Sequence, residues 1–409
     1  MTRAGRRPRG PPGARGTTMP DAPTLRVLFL THSYPRVPGD AAGSFLLHLA
    51  VALRKERVDV QVVAPAADAL PEHDVFEGIP VDRFHYAPRR YENLAYTGEM
   101  AQEVQRSWLA KFALVGFLGA EFAAATRERR AFAPHLVHAH WWFPGGLVGT
   151  WAAGLAGIPL VTTMHGTDVR LARARTFARP LFRHVLHHSR AVTTVSRWLA
   201  DEVRDLVPGV APLVAPMPVA TSLFHPAATR SSDRVLFVGR LNAQKGVALL
   251  LDAIARMRHQ VAFDLVGDGP DAAPLKAQAA QLGIADRLTW HGARPQTELP
   301  AFYQRASALV VPSLEEGLGL VAVEGQLCEA PIVAFDSGGI TDIITHGETG
   351  LLAPAGDADA LAAALDRLFD DPELRFALGR AGRMSALGDF APESAARRYA
   401  TLYRSIVAP

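Results

Sequence analysis

The chain has 409 residues, of which 49% are hydrophobic and 20% are charged, a composition typical of globular proteins. This length suits two domains of roughly 150–200 residues each. The formal net charge is +3, and residues 1–18 contain five arginines and no acid, so the remainder of the chain is slightly acidic. Such a distribution argues against a nucleic-acid-binding surface, and nucleic acid is not expected as a partner.

Residues 1–24 are rich in Pro, Gly and Arg, and we expect them to form a disordered basic tail. No apolar stretch follows these arginines, so the tail does not resemble a signal peptide, and Met19 is a candidate for the true start. Cys328 is the single cysteine, which excludes an intramolecular disulfide and fits a reducing, cytoplasmic location. The apolar stretch at residues 112–120 is too short to span a bilayer.

The first half of the chain begins with an apolar, β-rich run at residues 26–31. The loop SYPRVPGDAAG follows, and then a helical pattern that begins at Ser44. Strand, glycine-containing loop and helix in this order are typical of the start of a βαβ unit. Another helix is predicted from Ser196, with this serine as its N-cap. Further strands are predicted at residues 58–64, 136–139, 160–164 and 191–195.

The same pattern restarts after a segment rich in Pro, Ser and Thr at residues 215–232. The alternation of strands and helices predicts an α/β protein of two Rossmann-like, doubly wound parallel-sheet domains. We place the domains at residues 25–218 and 219–390, followed by a last segment at 391–409. The strands predicted in the second half are residues 235–238, 263–266, 288–290, 308–311, 332–335 and 350–352.

Polar motifs stand directly after the predicted strands, where parallel sheets bind their ligands. Arg240 and Lys245 lie five residues apart in GRLNAQKG, just before a predicted helix. Cations beside a helix N-terminus can bind a diphosphate, although two solvated surface cations are the commoner explanation of an isolated pair. The sequence GDGP at residues 267–270 indicates close backbone approach. Gly338 and Gly339 either begin a helix that approaches a phosphate or sugar, or form a plain turn.

Glu316 and Glu324 lie in the sequence EEGLGLVAVE. Their spacing of eight residues predicts two turns of one helix, with the carboxylates about 12 Å apart on one face. This distance is too long for two groups that share one reacting atom, but it suits two acceptors that hold different hydroxyls of one long ligand. For Glu316, balancing the helix dipole is the alternative. Glu324 lies within an apolar run, so we expect its carboxylate to have a partner or a ligand.

Histidines follow two strands of the first half. His138 and His140 precede WWFPGG, and His165 begins the motif HGTD, which ends with Asp168. A metal site is one explanation, but the chain lacks an HExxH motif and cysteine ligands, so a hydrogen-bonding or proton-handling role for His165 is preferred. Purely structural histidines are the third explanation. Sugar stacking, an acceptor groove and core packing are all open for three aromatic residues, Trp141, Trp142 and Phe143.

Taken in order, these motifs resemble those of the retaining glycosyltransferases of family 4. They read GDAAGSF, HAHWWFPGG, TMHGTD, VGRLNAQKG, VGDGP, EEGLGLVAVE and SGGITDII. The resemblance covers nearly all of residues 25–405 and implies the GT-B fold, in which two domains face a central cleft. It also implies that residues 392–407 form a helix that crosses back to the first domain. The linker departs from the family pattern, because Pro218 and Ala220 stand where relatives have Gly and Asp.

The resemblance implies a donor site in the second domain. Arg240 and Lys245 would bind the diphosphate of a nucleotide sugar, and Glu324 would bind the ribose hydroxyls. Backbone close to the donor is implied for five further residues, which are Gly43, Gly317, Leu318, Gly319 and Leu320.

The resemblance also implies the catalytic groups. His165 would lie at the reacting sugar, Glu316 would contact the sugar hydroxyls, and Asp168 would orient the loop of His165. Retention of anomeric configuration is expected, without a metal ion and without any cofactor besides the donor substrate. We expect a UDP-sugar first and GDP-mannose second. A nucleotide-sugar epimerase or a phosphorylase of the same fold, or a non-catalytic nucleotide-sugar-binding module, are the alternatives.

The resemblance implies that the first domain binds the acceptor, for which we expect a glycan or a lipid-linked molecule of surface polysaccharide or glycolipid biosynthesis. An apolar segment of this domain has cations nearby, at Lys111 and at residues 127–130. It could rest on a membrane surface, although a buried helix is favoured. Its large apolar residues are Trp108, Phe112, Phe117, Leu118 and Phe122. The sequence does not predict the oligomeric state.

Overall fold

The structure is a computed structural model that describes residues 24–67, 70–96, 100–227 and 234–407. The predicted basic tail lies almost wholly outside the described residues. The described chain forms two sheets with helices on both faces of each sheet. This is the α/β architecture of two doubly wound domains that the alternating pattern predicts.

The first sheet has eight strands in the order β3-β4-β2-β1-β5-β6-β7-β8. All neighbours in it are parallel except β3 and β4, which form an antiparallel hairpin. The strands are β1 Leu25–Leu30, β2 Val58–Pro65, β3 His73–Phe76, β4 Ile79–Phe84, β5 Leu136–His140, β6 Leu160–Met164, β7 Ala191–Thr194 and β8 Leu213–Val214.

The helices around the first sheet begin with α1, which follows the first glycine-containing loop. The serine predicted to cap α7 does so, since the Ser196 hydroxyl accepts a hydrogen bond from the Leu199 amide. The helices are α1 Ser44–Lys55, α2 Met100–Arg106, α3 Trp108–Phe132, α4 Leu147–Ala156, α5 Thr167–Ala174, α6 Arg179–His188 and α7 Arg197–Leu206.

The second sheet has six parallel strands in the order β11-β10-β9-β12-β13-β14. They are β9 Arg234–Val238, β10 Ala262–Val266, β11 Leu288–Gly292, β12 Ala308–Val311, β13 Ile332–Asp336 and β14 Leu351–Pro354. The helices that follow in this half are α8 Val247–Arg256, α9 Ala272–Gln281, α10 Leu299–Arg305, α11 Leu320–Leu327, α12 Ala358–Asp370, α13 Pro372–Asp389 and α14 Pro392–Val407.

Every strand predicted from the sequence is present, with ends that differ by at most two residues. The prediction missed the β3–β4 hairpin because β4 contains Asp82 and Arg83, which interrupt an apolar run yet are both buried. Arg83 donates to the Pro35 carbonyl at 2.8 Å, and His73 approaches Asp82 at 2.9 Å. The hairpin turns at Glu77 and Gly78, which have φ values of 49° and 80°.

The C-terminal helix α14 packs against elements of the first half, although it follows the second half in sequence. Glu393 at its start pairs with Lys55 at 2.9 Å, and Arg404 near its end donates to the Glu56 carbonyl. The Tyr403 hydroxyl lies 2.6 Å from Nδ1 of His138, which is fully buried in β5. The helix therefore ties the two halves together. The exact domain boundaries at residues 218 and 390 stay predictions.

The long helix α3 corrects the sequence-based view of its apolar segment. Residues 112–120 are part of a 25-residue helix, which among the described residues is the one helix long and apolar enough to cross a membrane. Its best 18-residue window has a mean hydropathy of 1.4 and is 33% buried within the protein. Phe117 is fully buried, as the favoured interpretation of a buried helix predicts, and its ring lies 4.9 Å from those of Phe84 and Tyr86.

The start of the same helix is exposed, with Trp108 at 75% and Phe112 at 72% of their full accessibility. We therefore expect Phe117→Ala to lower the free energy of unfolding by about 3–5 kcal/mol, since it removes a fully buried ring. Phe112→Ala is the matched control on the same helix and should change it by less than about 0.5 kcal/mol. Urea unfolding followed by circular dichroism measures both. Equal effects of the two substitutions would contradict the placement of α3.

Candidate functional site

The carboxyl ends of the two sheets face each other, and loops from both halves meet there. The Ser196 hydroxyl, at the start of α7, donates to the Gly317 carbonyl at 2.6 Å. Arg173 on α5 pairs with Glu315 at 2.8 Å. The Gln296 amide donates to the Gly39 carbonyl at 3.2 Å. The loops predicted to bind ligands in the two domains therefore border one shared cleft.

Backbones of the two halves also approach each other closely across this cleft. A Cβ added to Gly317 would lie 2.3 Å from the carbonyl oxygen of His165, and one added to Gly166 would lie 2.9 Å from the Cα of Gly317. Gly166 also has a φ of 114°, which favours glycine. The HGTD loop of the first half and the EEGLG loop of the second half are therefore in direct contact.

The two predicted donor-binding motifs of the second half also meet. Lys245 Nζ lies 2.6 Å from Oε2 of Glu316, and both side chains are largely shielded from solvent. The Asn242 side chain caps the short turn that holds Lys245, accepting its amide at 3.2 Å. Gly246 follows with a φ of 65°, and a Cβ there would lie 1.9 Å from the Pro312 carbonyl oxygen. Arg240 follows β9 and is exposed.

The backbone of this region is packed too closely for side chains, as GDGP predicts. A Cβ on Gly267 would lie 1.8 Å from the Gly239 carbonyl oxygen, and one on Gly269 would lie 2.3 Å from that of Leu241. The loop after β10 thus supports the loop that contains Arg240. Helix α8 begins just beyond, at Val247, so its N-terminus and the cation of Lys245 are adjacent.

The predicted relation between Glu316 and Glu324 is wrong in its geometry. Helix α11 begins only at Leu320, so Glu316 lies in the preceding loop and the two carboxylates are not two turns apart on one helix. Gly319 has a φ of 94°, a left-handed conformation, so the helix cannot extend from Leu320 towards Glu316. Leu318 is buried, and the Gly339 amide donates to the Glu316 carbonyl at 2.8 Å. Gly319 and Gly339 therefore determine the conformation of this loop. The spacing of the two glutamates in the sequence did not predict this loop.

Glu324 has the partners that its apolar surroundings predicted. Glu324 is 6% exposed. Its Oε2 accepts a hydrogen bond from the Tyr303 hydroxyl at 2.7 Å, and its Oε1 accepts one from the Gln296 side-chain amide at 3.2 Å. Burial raises the pKa of Glu324 to about 7, and the two hydrogen bonds oppose this rise. The carboxyl group is thus poised between its neutral and ionised forms near neutral pH.

His165 lies at the meeting point of the two loops, packed among aromatic rings of the first half. Its ring centroid is 4.2 Å from that of Trp141 and 5.3 Å from that of Phe45. Its Nε2 is hydrogen-bonded to Nδ1 of His140 at 3.2 Å. Burial lowers the pKa of both histidines well below the usual range. The imidazole is therefore neutral at neutral pH and can donate or accept a hydrogen bond.

Asp168 is buried, and its carboxylate accepts hydrogen bonds from four backbone amides. Its Oδ1 accepts the amides of His165 at 3.1 Å, Gly166 at 2.9 Å and Val169 at 3.0 Å, while its Oδ2 accepts that of Trp142 at 3.2 Å. Burial raises the pKa of Asp168, opposed by these four backbone hydrogen bonds. These hydrogen bonds fit the expected role of Asp168 in orienting the loop of His165, and its place among the catalytic groups stays a prediction.

The remaining first-half candidates are divided between structural and site roles. His138 bonds to Tyr403 and, through Nε2, to Thr163 at 2.7 Å, so it is part of the core. Trp142 is buried, and its Nε1 donates to the Asp168 carbonyl at 2.7 Å. Gly43 has a φ of 70° at the start of α1, where a Cβ would lie 2.3 Å from the Ser33 carbonyl oxygen. Within the described part of the chain, no group of three or more His, Cys, Asp or Glu could hold a metal ion.

Sequence reasoning missed three residues that build this site. Tyr303 and Gln296 bind Glu324 from α10 and the turn before it, and Ser196 links the start of α7 to the loop of Gly317. Ser196 was identified only as a helix cap, and its hydroxyl serves both purposes. The need of a buried carboxylate for partners was visible in the sequence, but their identity depends on how α10 and α11 pack.

Comparison with known proteins fits this geometry. Residues 41–219 match the family described as "Glycosyl transferase 4-like domain", and residues 224–385 match "Glycosyl transferases group 1". The D-inositol 3-phosphate glycosyltransferase of Acidothermus cellulolyticus is 31% identical over 88% of this chain and 86% of its own length.

Two solved structures show the same fold. Sucrose-phosphate synthase of Thermosynechococcus elongatus superposes with a TM-score of 0.78 and 23% identity, covering 94% of this chain and 99% of its own. HepE of Anabaena, solved with UDP and glucose, has a TM-score of 0.72 and 20% identity, covering 93% and 100%. Two parallel-sheet domains about one cleft are the GT-B arrangement. The chain is a GT-B glycosyltransferase and belongs to glycosyltransferase family 4.

Proposed function

We propose that this glycosyltransferase moves a sugar, with retention of configuration, from a nucleotide-diphosphate sugar to a glycan or a lipid-linked acceptor. The observation that supports it best is the pair of Lys245 and Glu316, beside the start of α8 and at the loop that contacts His165. A cation at a helix start suits a diphosphate, and a carboxylate next to it suits sugar hydroxyls. The UDP bound to HepE makes a UDP-sugar the first candidate, and GDP-mannose is the second.

In this proposal the second domain stabilises the leaving group. Arg240, Lys245 and the N-terminus of α8 meet the negative charge that develops on the nucleoside diphosphate as the bond to the anomeric carbon breaks. They take the part that a divalent cation plays elsewhere, so the reaction needs neither a metal ion nor a further cofactor. Glu324, positioned by Tyr303 and Gln296, accepts the ribose hydroxyls.

The first domain orients the acceptor and the reacting sugar. The acceptor hydroxyl attacks the oxocarbenium-like anomeric carbon from the side of the leaving group, and its proton passes to the departing phosphate oxygen. One carbon–oxygen bond breaks, another forms, and the nucleoside diphosphate leaves with that proton. Neutral His165 hydrogen-bonds the sugar, while Asp168 holds the loop of His165 in place.

We further propose a cytoplasmic enzyme that contacts the membrane at its periphery, through the exposed start of α3. Trp108 and Phe112 are exposed there, and Lys111 lies over the Trp108 ring at 4.0 Å. Aromatic residues with a nearby cation suit an anionic lipid surface. Vesicle co-sedimentation that is unchanged by Trp108→Ser with Phe112→Ser would remove this part of the proposal.

We expect Lys245→Ala to weaken nucleotide binding at least about tenfold, because a charge-assisted contact to the diphosphate is lost. Calorimetry with UDP, GDP and ADP measures this and also identifies the base. The wild-type protein should bind one nucleotide at micromolar concentration, with or without EDTA. Lys276→Ala is the matched control, since this exposed lysine lies on α9 of the same domain. Absence of binding by all three nucleotides, or equal affinity of the two variants, would contradict the proposed donor site.

The raised pKa of Glu324 predicts a pH dependence of nucleotide binding. Burial raises the pKa of the Glu324 carboxyl group to about 7, so below that pH the carboxyl is protonated, whereas ribose hydroxyls donate best to the ionised form. UDP affinity should therefore rise with pH, by up to about tenfold per unit, and level off above pH 7. The terminal phosphate of UDP ionises near pH 6, and this makes the same contribution to the pH dependence of UDP affinity in the wild type and in every variant. In Glu324→Gln, only the phosphate contribution to the pH dependence of UDP affinity should remain. If UDP affinity rises with pH as steeply in this variant as in the wild type, the role of Glu324 is refuted.

A further inference from the structure

The first half contains a cavity of about 450 Å³ between α2, the start of α3 and helix α5 with the turn that follows it. Its wall is mainly apolar and aromatic, and includes Val104, Leu114, Phe143, Leu171 and Phe177. A sugar or a soluble sugar phosphate would leave most of this wall without a polar contact. A pocket with this lining suits a ligand with a substantial apolar part.

The cavity opens beside the proposed reaction centre. His32, Trp141 and Asp168 all line it, and the centroid of the Trp141 ring lies 4.2 Å from that of His165. Asp168 in turn fixes the backbone of His165. A ligand in the cavity therefore has one end within reach of the sugar that the proposed function places at His165.

Two arginines line the cavity, and exposed apolar residues lie beside it. Arg170 and Arg175 line the cavity, and Arg175 reaches across to the side chain of Gln105 on α2 at 2.8 Å. Phe177 lines the cavity and is also 79% exposed. The exposed residues at the start of α3, Trp108 and Phe112, belong to the helix that provides Leu114 to the wall. The apolar wall is thus continuous with apolar protein surface, and cations stand at the same place.

We propose that this cavity binds the acceptor, and that the acceptor is an anionic lipid. Its hydrocarbon part lies along the apolar wall, its anionic linking group lies beside Arg170 and Arg175, and its hydroxyl reaches the sugar at His165. This assignment rests on the proposed glycosyl transfer and adds the chemical class of the acceptor to it. An apolar chain contributes affinity in proportion to the area it buries, and the cations select for charge at its polar end.

Calorimetry with n-decyl phosphate, below its micelle concentration, tests the proposal on the full-length protein. We expect saturable binding, and binding of inorganic phosphate that is at least about a hundredfold weaker, because phosphate alone cannot use the apolar wall. Phe177→Ser and Arg175→Gln should each weaken decyl phosphate about fivefold or more, and both residues are exposed, so the fold should tolerate the changes. Phe376→Ser, at a 64% exposed phenylalanine of α13, is the matched control and should have no effect.

Decyl phosphate that binds no more tightly than phosphate, or equally well to the Phe177 and Phe376 variants, would overturn the assignment. The same samples are titrated with UDP, GDP and ADP. Nucleotide binding without decyl phosphate binding would refute the lipid acceptor and leave the transferase proposal intact. If the wild-type protein binds none of the three nucleotides, the result would instead count against the proposed donor site. n-Octyl glucoside that binds as tightly as decyl phosphate would refute the part assigned to the arginines.

Discussion

The site depends on a contact between two backbones. Gly317 in the second half lies so close to the carbonyl of His165 in the first half that even one methyl group would not fit between them. Ser196 fixes the same spot by donating to the Gly317 carbonyl while it caps α7. Because Glu316 directly precedes Gly317, this contact also determines where its carboxylate stands relative to His165. The candidate site groups of the two halves are therefore placed together by backbone packing.

Several charged side chains of the cleft form ion pairs with each other. Lys245 is already bound to Glu316, Arg173 to Glu315 and Arg197 to Asp342, and the last two pairs join the two halves of the chain. Such pairing keeps the cations from being left alone in a partly shielded place. In the proposed function, a diphosphate would compete with Glu316 for Lys245, and this would free the carboxylate to accept sugar hydroxyls. Occupation of the phosphate position and of the sugar position would then be coupled.

The strands and the loops that form the site could be predicted from the sequence, because apolar runs identify the strands and polar motifs directly follow them. Strands such as β9 and β12 are apolar runs that end at polar loops, and the carboxyl ends of parallel strands share one edge of a sheet. The partners of Glu324 were expected from its apolar neighbours, though not identified. The hairpin strand β4 was missed because Asp82 and Arg83 are buried by tertiary partners that no local pattern records. The loop of Glu316 was mistaken for a helix because Gly319 takes a left-handed conformation.

The claim that the two halves form one catalytic site through this backbone contact is tested most directly by Gly317→Ala. The matched control is Gly388→Ala, on α13 of the second half, where an added Cβ meets nothing within 4 Å. Cleavage of the donor sugar nucleotide and the nucleotide dissociation constant are measured for both variants. We expect Gly317→Ala to lower kcat about a hundredfold, since a shift of about 1 Å between reacting groups has that effect, while nucleotide affinity stays within about threefold. Full turnover in Gly317→Ala, equal to that of the Gly388 variant, would contradict it.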